Sequence, residues 1–266
     1  MTRVISFSSG KGGVGKTSLV ANLGVLWSRS GAKVLLVDGD WSLGKLGILL
    51  GKRPRWTVEE VIKGEITLRE AVAEVKPGLS LLASPSGVVG FEELSEEARQ
   101  HLFFELDALH DSFDWILFDH SSGVHSGVLP FAAAAHQHVI VTTCEPTSYT
   151  DAYAIMKILS KRFGVREFAL VVTMATDRME SERIINRFLE ITHSQLQVKV
   201  RLLDILPWDP KLAESIRRQQ PFVDLFPNSD TALRLERLGD TLKGIEPARQ
   251  NGLRFFLSQE VAAKHL

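Results

Sequence analysis

Apolar and polar positions along this chain predict a parallel sheet that is covered by helices. Nearly unbroken apolar runs lie at 4–7, 33–37, 79–83, 113–119, 139–143, 168–173 and 198–206. Runs of this length are typical of strands that are buried on both faces. Segments with helical spacing separate them, so the chain alternates between strand and helix. This alternation predicts an α/β fold, a doubly wound, mostly parallel sheet with helices on both faces.

Helices are expected where apolar residues recur every three or four positions. These segments are 19–29, 57–62, 67–75, 94–110, 180–193, 211–219, 221–226 and 229–242, with a further helix in the stretch after Pro146. In the segment 94–110 the side chains of Leu102, Phe103, Leu106 and Leu109 share one face. Thr150 or Ser148 is the expected cap of the helix that follows Pro146.

Composition narrows the class of protein. The 266 residues, 44% of them hydrophobic, fit one large domain, which we place at 1–245, followed by a tail at 246–266. A net charge of −1 gives no strong nucleic-acid signal. Cys144 is the single cysteine, which fits a reducing cytosol. We expect no signal peptide and no membrane-spanning segment.

A glycine-rich loop between the first strand and the first helix carries the clearest chemistry. Gly10, Gly15, Lys16 and Thr17 fill the fixed positions of the phosphate-loop motif G-x-x-x-x-G-K-[ST]. Glycines let backbone N–H groups approach a phosphate, and the helix N-terminus favours its negative charge. The nucleotide-binding residues expected here are Gly10, Lys11, Gly12, Gly13, Val14, Gly15, Lys16, Thr17 and Ser18.

Carboxylates follow two of the predicted strands. Asp38 and Asp40 end the second strand, and Asp119 ends the strand 113–119. Carboxyl ends of parallel strands meet at the ligand-binding edge of such a sheet. With the Thr17 hydroxyl, Asp38, Asp40 and Asp119 are the expected ligands or supports of Mg²⁺. The alternative is that Asp38 and Asp40 are a pair of acids in a turn and have no functional role.

Lys11, a second lysine in the loop, makes the string from 11 to 17 resemble the deviant Walker A motif of the MinD/ParA ATPases. That resemblance implies an ATP-bound homodimer, in which Lys11 reaches the partner's nucleotide. It also places Asp40 on the family's catalytic aspartate, so the expected catalytic residues are Lys11, Lys16 and Asp40, and the expected cofactors are ATP and Mg²⁺.

Two longer stretches, 37–51 and 142–154, are similar to the flagellar FlhG branch of that family, also called FleN or YlxH. Several positions depart from its pattern. Lys45 stands where asparagine is usual and Gly47 where aspartate is usual. In the segment that resembles switch II, His120 replaces threonine and Ser121 replaces glycine. These departures imply altered hydrolysis.

The adenine side of the site is expected at the ends of the last two strands. Thr173 matches the position of an asparagine that reads adenine in the family. Pro207, Trp208 and Asp209 resemble the family's adenine-side loop. Trp208 has two readings: it stacks on a base, or it covers the core.

Four histidines, His120, His125, His136 and His138, lie close together in sequence. No cysteine or acidic pair at ligand spacing joins them. We therefore interpret them as polar loop residues rather than as a metal site.

The tail resembles the C-terminal amphipathic helix of FlhG. Leu253, Phe256, Leu257 and Val261 would share one face, which favours binding in a membrane interface. Packing of the tail on its own domain is the alternative. Relatives often carry a short N-terminal segment that stimulates a partner GTPase. The phosphate loop begins at residue 10 here, so we expect no such segment.

The resemblance implies an ATPase switch that is cytoplasmic, peripheral to the inner membrane and active in flagellar number or placement. Its expected partners are an FlhF-like GTPase and a flagellar transcription regulator or switch component. Three alternatives remain open: a division-site, cargo or chromosome positioning ATPase, a switch that hydrolyses ATP poorly, and a regulator that holds a transcription factor.

Overall fold

The computed structural model describes residues 2–40, 44–85, 95–109, 111–123, 129–246 and 255. Within these residues, eight strands form a single sheet. The strands are β1 (Arg3–Ser8), β2 (Val34–Gly39), β3 (Ala73–Lys76), β4 (Leu79–Leu82), β5 (Trp115–His120), β6 (Gln137–Thr142), β7 (Glu167–Ala175) and β8 (Lys199–Pro207).

The helices of the described chain are α1 (Lys16–Arg29), α2 (Leu46–Leu49), α3 (Val58–Ile62), α4 (Leu68–Ala71), α5 (Glu96–Asp107), α6 (Leu129–Ala134), α7 (Pro146–Phe163), α8 (Arg178–Leu196), α9 (Pro210–Arg217), α10 (Phe222–Leu225) and α11 (Asp230–Gly244). Among them, none is long and apolar enough to cross a membrane.

The strand order is β3-β4-β2-β5-β1-β6-β7-β8, and each neighbouring pair is parallel except β3 with β4. Helices α1, α2, α10 and α11 pack on one face of the sheet, and α3 to α8 pack on the other. The predicted fold, a doubly wound and mostly parallel sheet with helices on both faces, is confirmed. Strands β1, β2, β5 and β6 are almost fully buried, which explains their unbroken apolar character.

The predicted helix 67–75 is wrong in its second half. It ends at Ala71, because Val72 is extended, and Ala73–Lys76 pairs antiparallel with β4 at the edge of the sheet. The alternation of Ala73 and Val75 with two charged residues suits an edge strand, which needs protection from further pairing. Helices α2 and α6 were not predicted.

The expected cap of α7 is also wrong. The helix begins at Pro146 with Glu145 as its N-cap residue, and no side chain caps it. Ser148 instead accepts a hydrogen bond from the backbone N–H of Thr143, and Thr150 donates to the carbonyl of Pro146. Proline at the first helical position is pre-set for helix geometry and lacks one of the N–H groups that have no partner in the first turn.

Candidate functional site

The phosphate loop lies between β1 and α1, and its backbone has the shape that phosphate binding requires. Gly13 and Gly15 have φ of 81° and 83°, in the left-handed region that favours glycine. A Cβ on Gly13 would meet no atom within 4 Å, so the loop surface at this point is open. The loop leads directly into α1, whose N-terminus presents free N–H groups. This cradle fits the phosphates of a nucleotide.

Gly10 holds the start of the loop against α7. A Cβ built on Gly10 would lie 2.3 Å from the Cβ of Asp151, far inside van der Waals contact. The first glycine of the motif is therefore required by close packing rather than by its backbone angles. This contact links the phosphate loop to the helix that follows β6.

Lys16 and Asp119 meet in the buried centre of the site. The side chains are 5% and 0% exposed, and the ammonium group contacts the carboxylate oxygen Oδ1. The second oxygen of Asp119, Oδ2, is buried and has no hydrogen-bond partner within the described chain. A buried carboxylate oxygen without a partner beside a phosphate loop fits a role in the Mg²⁺ shell.

Asp38 lies beside Asp119, because the two residues are paired in register on β2 and β5. Its carboxylate accepts hydrogen bonds from the backbone N–H groups of Asp40, Lys45 and Leu46 at 3.2, 2.8 and 2.9 Å. Burial, reinforced by the charge of Asp119, raises the pKa of Asp38 to about 7. The pairing of the two acids confirms that the strand ends converge. A bound cation would relieve their repulsion.

The described residues contain no cluster of three or more histidine, cysteine or acidic side chains that could hold a metal by themselves. Mg²⁺ at nucleotide sites commonly needs only one or two carboxylates, with phosphates and water as the other ligands. Asp38, Asp119 and the Thr17 hydroxyl therefore fit Mg²⁺ that arrives with a nucleotide. Their role as ligands stays a prediction.

Asp40 is turned towards Lys45, whose ammonium nitrogen lies 2.8 Å from Asp40 Oδ2. This hydrogen bond raises the pKa of Lys45, with further contributions from the charges of Asp119 and Asp38. Lys45 was noted in the sequence as a departure from the family pattern, but its contact with the expected catalytic aspartate was not foreseen.

Lys11 contacts α7 of its own chain. Its ammonium nitrogen lies 2.5 Å from Glu145 Oε2 and 3.4 Å from the Thr147 hydroxyl, and both partners of the ion pair are substantially exposed. Within the described residues the Lys11 side chain is 42% exposed, so a second molecule can reach it there. Its expected action on a partner's nucleotide stays a prediction.

An apolar cleft with a volume of about 80 Å³ adjoins the phosphate loop on the side of β7, β8 and α9. Its walls include Leu19, Met174, Leu206, Pro207 and Ile216. A cleft with apolar walls beside a phosphate cradle suits a nucleotide base. Met174 was missed in the sequence. It has φ of 58°, an uncommon angle for a residue other than glycine, and that angle is a feature of the fold rather than of the sequence pattern.

Thr173 lines this cleft, but its hydroxyl is used inside the protein. It donates to the carbonyl of Val14 at 2.7 Å and lies 3.2 Å from the carbonyl of Thr142. The side chain thus ties β7 to the phosphate loop. Thr173 supports the loop that would hold a nucleotide, and its expected contact with adenine stays a prediction.

After β8, the side chain of Asp209 is hydrogen-bonded within the protein, whereas that of Trp208 is exposed. Asp209 caps α9, accepting from the backbone N–H of Lys211, and its other oxygen accepts from the Thr231 hydroxyl. Both carboxylate oxygens therefore serve the fold. Trp208 is 59% exposed. This exposure does not agree with the interpretation that Trp208 covers the core. Stacking of Trp208 on a base stays a prediction.

The histidines are not the polar loop residues that the sequence suggested. His120, His136 and His138 are buried, and His136 Nδ1 accepts from the backbone N–H of Val4. Burial, with the positive charge of Lys16, lowers the pKa of His120 to about 3, so this side chain is neutral at physiological pH. Apolar runs on both sides conceal such core histidines in a sequence. His125 lies outside the described residues.

The expected membrane residues, Leu253, Phe256, Leu257 and Val261, lie outside the described part of the chain. Phe255, between them, is described and is 1% exposed. Its ring stacks with those of Phe103 and Phe118, and its N–H donates to the carbonyl of Ala134. Phe255, one of the two described residues of the tail, therefore packs on the domain.

The chain matches the family model described as the CobQ/CobB/MinD/ParA nucleotide binding domain over residues 5–222. It is similar to the antiactivator FleN of Pseudomonas aeruginosa, with 29% identity over 97% of this chain and 93% of FleN. It is also similar to the flagellum site-determining protein YlxH of Helicobacter pylori, with 29% identity over 85% of this chain and 77% of YlxH.

Among solved structures, the fold is similar to that of the septum site-determining protein MinD of Pyrococcus horikoshii OT3, determined in complex with Mg-ADP. The TM-score is 0.72 at 27% identity, covering 92% of this chain and 97% of that one. The region that matches the family model, residues 5–222, contains the phosphate loop and the acidic strand ends.

Proposed function

Because the chain belongs to the CobQ/CobB/MinD/ParA nucleotide-binding family, as a MinD-like P-loop ATPase that uses ATP and Mg²⁺, we propose that it is a dimerising switch that regulates flagellar number or placement at the inner membrane. The observation that carries this proposal is the pair of lysines in one loop. Lys16 lies buried against the acidic strand ends, whereas Lys11 is exposed at the rim. One lysine serves the chain's own nucleotide, and the other is free to serve a partner's.

In the proposed cycle, Lys16 would leave Asp119 for the outer phosphates, and Asp119, Asp38 and Thr17 would hold Mg²⁺. Bound Mg²⁺ would supply positive charge to the phosphate oxygens. Asp40 orients the attacking water. Lys11 exchanges its contact with Glu145 for the nucleotide of the second protomer, where a cation of this kind is worth roughly 10³–10⁵ in rate.

The flagellar assignment rests on the relatives named FleN and YlxH and on the FlhG-like stretches at 37–51 and 142–154. The proposed partners are an FlhF-like GTPase and a flagellar transcription regulator or switch component. Membrane attachment would come from the apolar face of the tail, which binds weakly in one copy and gains avidity from two copies in a dimer. The protein would then be cytoplasmic and peripheral to the inner membrane.

A second candidate is a regulator that acts mainly by holding a transcription factor. The name antiactivator, given to the FleN relative, favours it. A third is positioning of the division site, cargo or chromosome, which the septum-determining MinD neighbour favours.

The experiment that tests the proposal is deletion of the gene in its own organism, with flagella counted by electron microscopy and septa by fluorescence imaging. Altered flagellar number or placement with normal septa supports the flagellar role. Normal flagella with misplaced septa or cargo would contradict it and favour the positioning alternative. Capture of a transcription regulator in both nucleotide states, without ATP-dependent dimers, would favour the regulator alternative.

A further inference from the structure

Lys45 and Asp40 form an ion pair at the entrance to the phosphate site. Lys45 Nζ lies 2.8 Å from Asp40 Oδ2, and the side chains are 52% and 14% exposed. The carboxylate is therefore mostly shielded, whereas the ammonium group remains in contact with water. A neutral side chain at position 45, such as asparagine, would bring no charge to Asp40.

The backbone around Lys45 is held by hydrogen bonds and close packing, so the point from which its side chain extends is held as well. The N–H groups of Lys45 and Leu46 both donate to Asp38 Oδ2, at 2.8 and 2.9 Å. A Cβ built on Gly44 would lie 3.0 Å from the carbonyl oxygen of Ser84, so this segment is packed closely against the end of β4. Lys45 thus binds one acid through its backbone and the next acid through its side chain.

We propose that Lys45 is a positioning residue that slows ATP hydrolysis by holding Asp40 in an ion pair. This inference rests on the proposed role of Asp40 in orienting the attacking water. A carboxylate that accepts a charged hydrogen bond from an ammonium group has less freedom to turn and accept one from water. Hydrolysis then requires that the pair first opens, and the ATP-bound state of the switch lasts longer.

The size of the effect follows from the exposure of the pair. Ion pairs that are open to water on one side are worth up to about 1 kcal/mol, which corresponds to about fivefold in rate. Lys45 therefore slows ATP turnover but does not abolish it. Affinity for ATP is expected to stay the same, because the phosphate cradle and the apolar cleft do not contain Lys45.

The test measures kcat and KM for ATP–Mg²⁺ on the full chain, for the wild type and for Lys45→Asn, Lys45→Met and Lys45→Arg. Lys45→Asn and Lys45→Met should raise kcat about fivefold with KM changed less than about twofold. Lys45→Arg keeps the ion pair and should remain near the wild-type rate. Lys52→Asn, which removes an exposed lysine from the same segment, serves as the matched control and should change nothing.

An unchanged or lower kcat in both Lys45→Asn and Lys45→Met would overturn the inference. An Asp40→Ala variant separates this failure from a failure of the proposed function. If Asp40→Ala abolishes turnover while the Lys45 variants stay at the wild-type rate, only the role of Lys45 is wrong. If Asp40→Ala turns over like the wild type, the role of Asp40 is wrong and the inference falls with it.

Discussion

The ammonium group of Lys16 contacts the carboxylate of Asp119, and both side chains are almost completely buried. The lysine of the phosphate loop is thus neutralised by the acid at the end of β5, 103 residues away in sequence. Each group would otherwise be a buried charge without a partner, which is costly. Nucleotide binding therefore exchanges the existing ion pair of Lys16 and Asp119 for other ionic contacts, and it does not start from buried charges without partners.

Lys16→Ala should abolish ATP binding, because the phosphates lose their buried cation. It should also lower the free energy of unfolding by about 3 kcal/mol, because Asp119 is left as an uncompensated buried charge. Calorimetric titration with ATP–Mg²⁺ and denaturant unfolding measure the two effects. Lys33→Ala removes an exposed lysine and serves as the control. Wild-type affinity in Lys16→Ala would contradict the assignment of the phosphate loop.

Gly10→Ala should destabilise the protein and weaken nucleotide binding. Its new Cβ would overlap Asp151 at 2.3 Å, so the loop or α7 must move. Overpacking of this kind costs about 1–3 kcal/mol. Gly244→Ala, whose Cβ would meet no atom within 4 Å at the end of α11, is the matched control and should not lower the denaturation midpoint. Equal midpoints for the two variants would show that the close packing at Gly10 does not matter.

His120→Asn should make the protein less sensitive to acid. The folded pKa of about 3 lies below the 6.5 of an ordinary histidine, so the unfolded chain takes up a proton first as the pH falls. Wild-type stability is therefore lost from pH 6.5 downwards, by about 2 kcal/mol at pH 5. Asp38, with its raised pKa, acts in the opposite direction in the same range but is present in both proteins.

The measurement is the free energy of unfolding at pH 7 and pH 5, for the wild type, His120→Asn and His101→Asn, in which an exposed histidine is replaced. The loss of stability between the two pH values should be about 2 kcal/mol smaller in His120→Asn than in the other two proteins. An identical loss in all three would mean that His120 is not held neutral.

Phe256→Glu should release the protein from vesicles of phosphatidylethanolamine and phosphatidylglycerol and leave ATP binding intact. The substitution places a charge on the predicted apolar face of the tail, where burial in the membrane interface is unfavourable. Phe104→Glu is the matched control, because Phe104 is 72% exposed on α5 of the domain. Co-sedimentation with ATP–Mg²⁺ measures binding. Retention of Phe256→Glu at the wild-type level would rule out this face as the anchor.

The positions of the central strands along the chain and the position of the phosphate loop could be predicted from the sequence. Both depend on local patterns: apolar runs such as 34–37, and the fixed residues of the loop. Parallel strands place their carboxyl ends at one edge of the sheet, but Asp38 lies beside Asp119 because β2 and β5 are direct neighbours, which the sequence did not show. Strand β3 was missed because a short edge strand carries few apolar residues and follows a good capping box at Thr67.

The sequence pattern could not predict which individual side chains contact one another. The pairing of Lys45 with Asp40, of Lys11 with Glu145, and of Thr173 with the carbonyl of Val14 depends on the path of loops in three dimensions. Asp209 resembled a ligand by its place after β8, yet its side chain completes a helix cap. Local motifs show where the site lies along the chain. The folded structure determines which of its polar groups already have hydrogen-bond or ionic partners within the protein.

The proposed dimer depends on Lys11, which is partly exposed and, among the described residues, contacts Glu145 and Thr147 of its own chain. The most direct test is the mass in solution by light scattering, with ADP–Mg²⁺ and with ATP–Mg²⁺, for the wild type and Lys11→Ala. We expect the wild type to be a monomer with ADP and a dimer with ATP, and we expect no ATP-dependent dimer for Lys11→Ala. A wild-type mass that does not change with nucleotide, or a Lys11→Ala variant that dimerises as the wild type does, would contradict this expectation.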